Sequence, residues 1–165
     1  MDYIMVNSED IREARILIVD DLETNILLLD RLLRGSGYSC IESTSKPQEV
    51  CELHRKNSYD LILLDLQMPG MDGFQVLKNL KEFETESYLP VIVVTSQPDH
   101  KLRALNAGAI DFISKPFDLE EVLIRVQNML EIRLQHKEAE AHIKALEQRV
   151  QGFRHIKSNP PTEHS

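Results

Sequence analysis

Residues 60–74, DLILLDLQMPGMDGF, decide the fold of this chain. The run 61–64 is continuously apolar and ends on Asp65, which predicts a strand covered on both faces with a carboxylate at its end. Turns are typical of the residue pairs that follow, proline and glycine at 69 and 70 and aspartate and glycine at 72 and 73. A helical pattern follows. A buried strand, a polar turn and a helix in succession indicate a parallel α/β sheet.

The same alternation extends in both directions along the chain. Strand-like runs occupy 15–20 (RILIVD), 38–43 (YSCIES), 60–65 (DLILLD), 90–95 (PVIVVT) and 109–114 (AIDFIS). Helical patterns lie between them at about 22–34, 47–57, 73–83 and 98–107. Together they predict an α/β fold, a doubly wound five-stranded parallel sheet with flanking helices.

The pattern changes near the end of the alternation, and this change sets the predicted domain limits. Neither proline nor glycine occurs between Asp118 and Gly152, which predicts one helix of roughly 35 residues, about 50 Å long. We therefore predict a globular domain over 15–130 and a helical coiled-coil extension over 131–153. A flexible lead-in over 1–14 and a disordered tail over 154–165 complete the predicted organisation.

Composition excludes several classes of function. The net charge of −8 repels phosphate backbones, so direct nucleic-acid binding is not expected. The opening residues MDYIMVNSED are acidic where a secretory signal would be basic, and no apolar run is long enough for a membrane span. We expect a cytoplasmic protein.

Polar residues recur where the predicted strands end. Asp20 and Asp21 close the first strand, Asp65 the third and Thr95 the fourth, and Lys115 follows the fifth. Because ligands bind at the carboxyl ends of parallel strands, these side chains are expected to converge. Two carboxylates about 4 Å apart repel by roughly 4 kcal/mol at an effective dielectric near 20. Oxygen ligands without histidine or cysteine favour a hard cation, and Mg²⁺ over Ca²⁺.

Each of these residues also has a purely structural interpretation. The two adjacent aspartates suit the cap of the following helix, and Asp72 suits a turn or cap. Thr95 is a common strand residue, and Lys115 precedes a proline, which favours extended backbone. The functional interpretation depends on all five strand-end residues occurring together.

Four segments resemble the response-regulator receiver domain of two-component signalling: VDD (19–21), LLDLQMPGMDGF (63–74), VTS (94–96) and KPF (115–117). The resemblance covers about residues 14–130 and implies strand order 2-1-3-4-5. It implies that Asp65 accepts a phosphoryl group from the phosphohistidine of a sensor histidine kinase or phosphotransfer protein.

The resemblance also implies the other site residues. Asp20, Asp21, Asp65 and the backbone carbonyl of Gln67 match the Mg²⁺ ligands. Thr95 matches the hydroxyl that meets the phosphoryl oxygens, and Lys115 the lysine that pairs with them. Four further positions match residues that modulate the family's response: Phe112 as an aromatic switch, Gln67 and Gln97 as determinants of dephosphorylation rate, and Ser96 as the small residue that admits phosphate.

The long helix carries an apolar stripe at heptad spacing, here called the seam. Its a positions are Met129, His136, Ile143 and Val150, and its d positions are Ile132, Ala139, Leu146 and Phe153. A stripe of this width is typical of a coiled coil, and we predict a homodimer through this helix. A lone amphipathic helix folded onto its own domain remains the alternative.

The leading functional hypothesis is a phosphorylation-controlled receiver whose only chemistry is its own phosphorylation and slow dephosphorylation. A second hypothesis is the receiver fragment of a larger regulator whose output domain is a cyclic-dinucleotide phosphodiesterase or cyclase, or a kinase. A phosphate-independent scaffold is a third. A haloacid-dehalogenase-like phosphatase is disfavoured, since its second aspartate would lie at 67, where this chain has glutamine.

Overall fold

The computed structural model describes residues 8–70, 72–83 and 90–158. The strands are β1 (Arg15–Val19), β2 (Cys40–Thr44), β3 (Leu61–Asp65), β4 (Val91–Thr95) and β5 (Asp111–Ser114). The helices are α1 (Ser8–Arg12), α2 (Glu23–Gly35), α3 (Val50–Asn57), α4 (Gly73–Phe83), α5 (Asp99–Asn106) and α6 (Leu119–Ser158). A 3₁₀ turn, Pro47–Glu49, precedes α3.

The strands form one five-stranded sheet in the order β2-β1-β3-β4-β5, and every neighbouring pair is parallel. This confirms the predicted doubly wound α/β fold and its strand order. β3 and β4 are buried along their whole length, as their unbroken apolar runs predicted.

Two apolar cores cover the faces of the sheet, because successive strand side chains point to opposite faces. On one face, Leu17, Ile62 and Leu64 pack with residues of α3, α4 and α5. On the other, Ile16, Ile18 and Leu63 pack with residues of α1, α2 and α6. Because all neighbouring strands are parallel, the loops that follow them lie at one edge of the sheet, between these two cores.

The amino-terminal segment differs from the predicted flexible lead-in. Residues 8–12 form α1, and Ile11 and Ala14 are buried in the core shared with α2 and α6. Two apolar side chains in a short polar stretch are too few for a periodicity signal, so only tertiary packing reveals this helix. Residues 1–7 lie outside the described part.

α6 belongs to two compact units, one ending at Leu134 and the other beginning at Gln135. In the first unit, Val122, Val126 and Leu130 fill the core. The predicted domain limit at 130 therefore lies four residues short of this unit's end. At the other end, α6 continues to Ser158, past the predicted helix end at 153, and 159–165 lie outside the described residues. No described helix has both the length and the hydropathy of a membrane span.

Gly73 fixes the loop between β3 and α4. A Cβ atom there would lie 2.6 Å from the Cα of Leu66 and 3.2 Å from the carbonyl oxygen of Asp65. Only glycine permits this approach of α4 to the end of β3. The glycine thereby brings the first turn of α4 close to the backbone of Asp65.

Candidate functional site

Three carboxylates meet at the carboxyl edge of the sheet. Asp20 follows β1 directly, Asp21 is next, and Asp65 is the last residue of β3, which pairs with β1. One oxygen from each carboxylate lies within 4.8 Å of the others. Asp20 is 2% exposed and Asp65 1%, whereas Asp21 is half-buried. The parallel pairing of the two strands brings these acids together.

Lys115 supplies the positive charge of this cluster. Its Nζ lies 3.0 Å from Oδ2 of Asp65 and 3.8 Å from Oδ2 of Asp20. Its backbone N–H donates to the carbonyl of Thr95, and the Lys115–Pro116 peptide is cis. The register of β5 on β4 thus fixes the lysine beside the phosphoacceptor candidate.

One cation does not offset three carboxylates, and the electrostatics of Asp20 reflect this. Burial raises the pKa of Asp20, and the charge of Asp65 raises it further. The N–H of Leu22 (2.9 Å), the ammonium of Lys115 and the amide of Asn25 (3.2 Å) act in the opposite direction without cancelling the increase in pKa. An all-oxygen donor set with excess negative charge fits a hard divalent cation, with Asp20, Asp21 and Asp65 as ligands.

Thr95 ends β4 one residue beyond Val94, the register partner of Asp65. Its side chain is fully buried. Its Oγ1 accepts a hydrogen bond from the N–H of Gln97 (3.1 Å) and lies 3.5 Å from Nδ1 of His100. The hydroxyl is therefore held at the same edge as the acids.

The predicted rate-modulating residues differ in their contacts. Ser96 donates a hydrogen bond through Oγ to Oε1 of Gln67 at 2.8 Å, so these two side chains form a pair across β3 and β4. The N–H of Gln67 donates to Oδ1 of Asp65 at 2.9 Å. Gln97 is exposed, and its backbone rather than its side chain contacts Thr95. Of the two glutamines, Gln67 is the one tied directly to Asp65.

Phe112 lies half-buried on β5, against the core that contains α5. Two cations flank its ring: Nζ of Lys101 on α5 is 4.6 Å from the centroid, and the guanidinium of Arg125 on α6 is 5.4 Å away. Arg125 also binds Asp111 at 2.8 Å, and this ion pair raises the pKa of Arg125. The aromatic ring is thus part of a charged surface formed by α5, β5 and α6.

The eight seam residues are divided between the two compact units. Met129 packs against the core of the first unit, where Ile132 is exposed. The remaining six belong to the second unit: His136, Ala139, Ile143, Leu146, Val150 and Phe153. Ile143 is 54% exposed and Phe153 64%, so the carboxyl-terminal part of the seam faces solvent.

Sequence reasoning missed two side chains that support the site. Asn25 donates to Asp20, and His100 approaches Thr95 while packing edge-on against Phe74 at 5.3 Å between centroids. Asn25 falls five residues after Asp20, in the first turns of α2, and that spacing is the only signal available in the sequence. His100 carries none, because its position depends on how α5 packs beside β4.

Comparisons with known proteins agree on one family. The family model described as response regulator receiver domain matches residues 16–127. Response regulator PleD of Caulobacter vibrioides is 36% identical over 123 residues, which are 73% of this chain and 27% of PleD. Chemotaxis protein CheY of Bacillus subtilis is 31% identical over 116 residues, which are 70% of this chain and 97% of CheY.

A solved structure extends the comparison to the site. The receiver domain of sensor histidine kinase PA1611 from Pseudomonas aeruginosa, described with a magnesium ion in its active-site cleft, superposes with a TM-score of 0.65 at 26% identity. The match covers 72% of this chain and 98% of that domain. The chain spans about a quarter of the length of PleD.

Proposed function

This chain belongs to the response-regulator receiver family, whose members are controlled by phosphorylation, and from that membership we propose that Asp65 is its phosphoacceptor and that Mg²⁺ is its cofactor. The observation that carries the proposal is the cluster of Asp20, Asp21 and Asp65 around one point, with Lys115 3.0 Å from Asp65.

The reaction is an in-line displacement at phosphorus. An oxygen of Asp65 forms a bond to the phosphorus of a donor phosphohistidine, the P–N bond breaks, and the imidazole leaves with the bonding electron pair. The product is an acyl phosphate on Asp65. Slow hydrolysis of that acyl phosphate resets the protein, so the chain turns over no separate substrate.

The chain's own residues prepare this step. The ammonium of Lys115 neutralises charge on the phosphoryl oxygens, and the hydroxyl of Thr95 donates a hydrogen bond to one of them. Asp20, Asp21, Asp65 and the backbone carbonyl of Gln67 would hold Mg²⁺. When bound, the ion would neutralise the acids and the incoming phosphoryl oxygens. The Ser96–Gln67 pair, which the N–H of Gln67 links to Asp65, influences how water reaches the acyl phosphate.

The phosphoryl donor is a sensor histidine kinase or phosphotransfer protein, encountered in the cytoplasm. Such a donor must cover the surface around the buried Asp65. Next to Asp21, a cavity of about 630 Å³ lies between α2 and the end of β2 and is lined mainly by polar side chains, among them Glu23, Ser43 and Lys46. Leu22, just before α2, and Leu27, on α2, are exposed, and this mixed polar and apolar surface suits contact with a protein donor.

Phosphorylation is read out on the surface of α5, β5 and the start of α6. Movement of Thr95 toward the phosphoryl group vacates space beside β4, and Phe112 turns inward to occupy it. Phe112 carries no hydroxyl, so this switch depends on packing and on the flanking cations Lys101 and Arg125. The same signal alters a homodimer formed through the seam, whose exposed apolar side chains require a partner.

A second candidate is favoured by the relation to PleD, which is much longer than this chain. In that case the receiver and α6 form the input part of a larger regulator with a phosphodiesterase, cyclase or kinase output. The chemistry at Asp65 is the same in both candidates. A phosphate-independent scaffold is disfavoured because all five strand-end residues are present.

The experiment that tests this function is labelling with a small phosphodonor in the presence and absence of Mg²⁺. We expect the wild-type chain to be labelled only with Mg²⁺ and Asp65→Asn to lose all labelling. Asp72→Asn is the matched control, since its side chain accepts the N–H of Phe74 at the start of α4, a role asparagine retains. Equal labelling of Asp65→Asn and wild type would refute the assignment.

A further inference from the structure

We infer that the helical segment 135–158 pairs with a second copy of this chain in parallel and in register, forming a two-stranded coil. The inference rests on the proposed homodimer and adds its orientation. It concerns the second compact unit alone, whose described part, 135–158, is helical throughout and leaves every apolar seam residue from 143 to 153 exposed.

The order of β-branched and leucine side chains along the seam favours a parallel pair of helices. Ile143 and Val150, which are β-branched, occupy a positions, and Leu146 occupies the d position between them. β-branched residues at a with leucine at d favour parallel dimers over higher oligomers. A shallow groove of about 380 Å³ is lined by Ile143, Leu146, Glu147 and Val150. In a parallel pair, these four residues form the hole that receives the partner's Leu146.

The charges beside the seam favour the same orientation. In a parallel pair each g residue faces the e residue five positions later on the other helix. His142 then lies beside the partner's Glu147. The two attract each other when the imidazole donates a hydrogen bond to the carboxylate or carries a positive charge. Arg149 faces the partner's Arg154, which costs a few tenths of a kilocalorie per mole at an exposed site. By symmetry, each flank of the coil therefore carries one attractive and one repulsive contact.

Antiparallel arrangements are worse. The antiparallel register that pairs all six seam residues of 136–153 places Glu140 beside the partner's Glu147 and His142 beside the partner's Arg149, so neither contact is attractive. An antiparallel register moved by one heptad pairs Glu140 with the partner's Arg154. That register leaves His136 and Ala139 without facing seam residues, and it places Glu147 and Arg149 each opposite its own copy. Only the parallel pair combines full overlap of the seam with an attractive contact.

Two charge reversals, measured by sedimentation of the full chain, distinguish these arrangements. In the parallel pair, Arg154→Glu replaces repulsion with attraction at two symmetry-related contacts and strengthens the dimer by about fivefold. Glu147→Lys removes the partner of His142 and weakens it by roughly twofold. Glu138→Lys, an exposed outward-facing site with the same charge change, is the matched control and leaves the dimer unchanged.

The alternatives predict other signs. A tighter dimer with Glu147→Lys indicates the antiparallel register with full overlap, and a weaker dimer with Arg154→Glu indicates the shifted one. Either result overturns the parallel assignment while leaving the homodimer intact. A wild-type chain that is monomeric at tens of micromolar, with and without a phosphoryl mimic, overturns the proposed homodimer itself.

Disulfide trapping provides an independent measurement. With Cys40→Ser and Cys51→Ala as background, Leu146→Cys forms a cross-linked dimer only if residue 146 faces its own copy, as the parallel register requires. Neither antiparallel register brings those positions together. Ala141→Cys, on the outer face of the helix, is the control and stays uncross-linked. Cross-linking of a mixture of Ile143→Cys and Leu146→Cys chains without self-linking of Leu146→Cys would refute the inference.

Discussion

The two compact units of this chain differ in whether their apolar side chains are buried. In the first, apolar side chains from both sheet faces are buried, and acids such as Asp20 and Asp65 are buried beside Lys115. In the second, Ile143, Leu146 and Val150 are about half exposed on a single helix. The first unit therefore buries its apolar side chains within the chain, whereas the second leaves them exposed to solvent.

This contrast predicts that substitutions in the two units alter different measurements. Changes in the first unit should alter unfolding or site chemistry, and changes in the second should alter association. A substitution that changed both the unfolding of the first unit and the association of the chain equally would contradict this separation of the two units.

The largest effect is expected for Gly73→Ala in the first unit. The added methyl would lie 2.6 Å from the backbone of Leu66, which cannot give way as a flexible side chain would. Overpacking of this kind costs roughly 1–3 kcal/mol, and we expect the upper end, measured by urea unfolding. Gly35→Ala is the control, because a Cβ there meets no atom within 4 Å. Equal unfolding midpoints for the two variants would contradict the packing argument.

A smaller effect, on association alone, is expected for Val150→Asp in the second unit. A carboxylate buried at the seam weakens the dimer by at least about tenfold, since an unpaired charge is costly to desolvate. The thermal unfolding of the first unit should remain at its wild-type midpoint. Ala141→Asp, on the outer face, should leave sedimentation unchanged. A receiver destabilised by Val150→Asp would show that the seam packs on its own domain.

The smallest effect concerns the pH dependence of the site. Because the pKa of Asp20 is raised in the folded protein, its contribution to stability is fully present below its unfolded pKa and is lost as pH rises through the folded pKa. Without divalent ions, Asp20→Asn should therefore gain stability over wild type as pH increases from about 4 toward neutrality. Urea unfolding at several pH values measures the difference.

Magnesium completes that test. The wild-type chain should be stabilised by added Mg²⁺ at neutral pH, and Asp20→Asn should respond far less because one ligand oxygen loses its charge. Asp72→Asn serves as the control carboxylate outside the cluster. Identical responses of Asp20→Asn and wild type would argue against Asp20 as a ligand.

Much of the fold and the site was predictable from particular residues. The unbroken apolar runs of β3 and β4 predicted buried parallel strands, and the polar residues at their ends predicted which side chains would converge. Asp20, Asp65 and Lys115 are the examples that the structure brings into direct contact. These predictions succeed because strand periodicity and strand ends are local properties of the chain.

Other features depended on tertiary packing rather than on local patterning of the sequence. The burial of Ile11 in α1, the bond from Asn25 to Asp20, and the approach of His100 to Thr95 leave no periodic signal. Asp60 at the start of β3 is another case: it accepts a hydrogen bond from the N–H of Arg15 and lies 3.9 Å from the buried Arg133. Both contacts of Asp60 join residues more than forty positions apart.

By itself, the sequence determined the alternation of strands and helices, the chemical groups at the strand ends and the heptad spacing of the long helix. All of these follow from local patterning of apolar and polar residues. Only the tertiary structure decided that Met129 and Leu130 pack in the receiver core whereas Ile143 and Val150 are exposed. The reason is that an apolar stripe has the same periodicity whether it packs on its own domain or faces solvent. The change from buried to exposed seam residues therefore depends on how far along α6 the first unit extends, which is to Leu134.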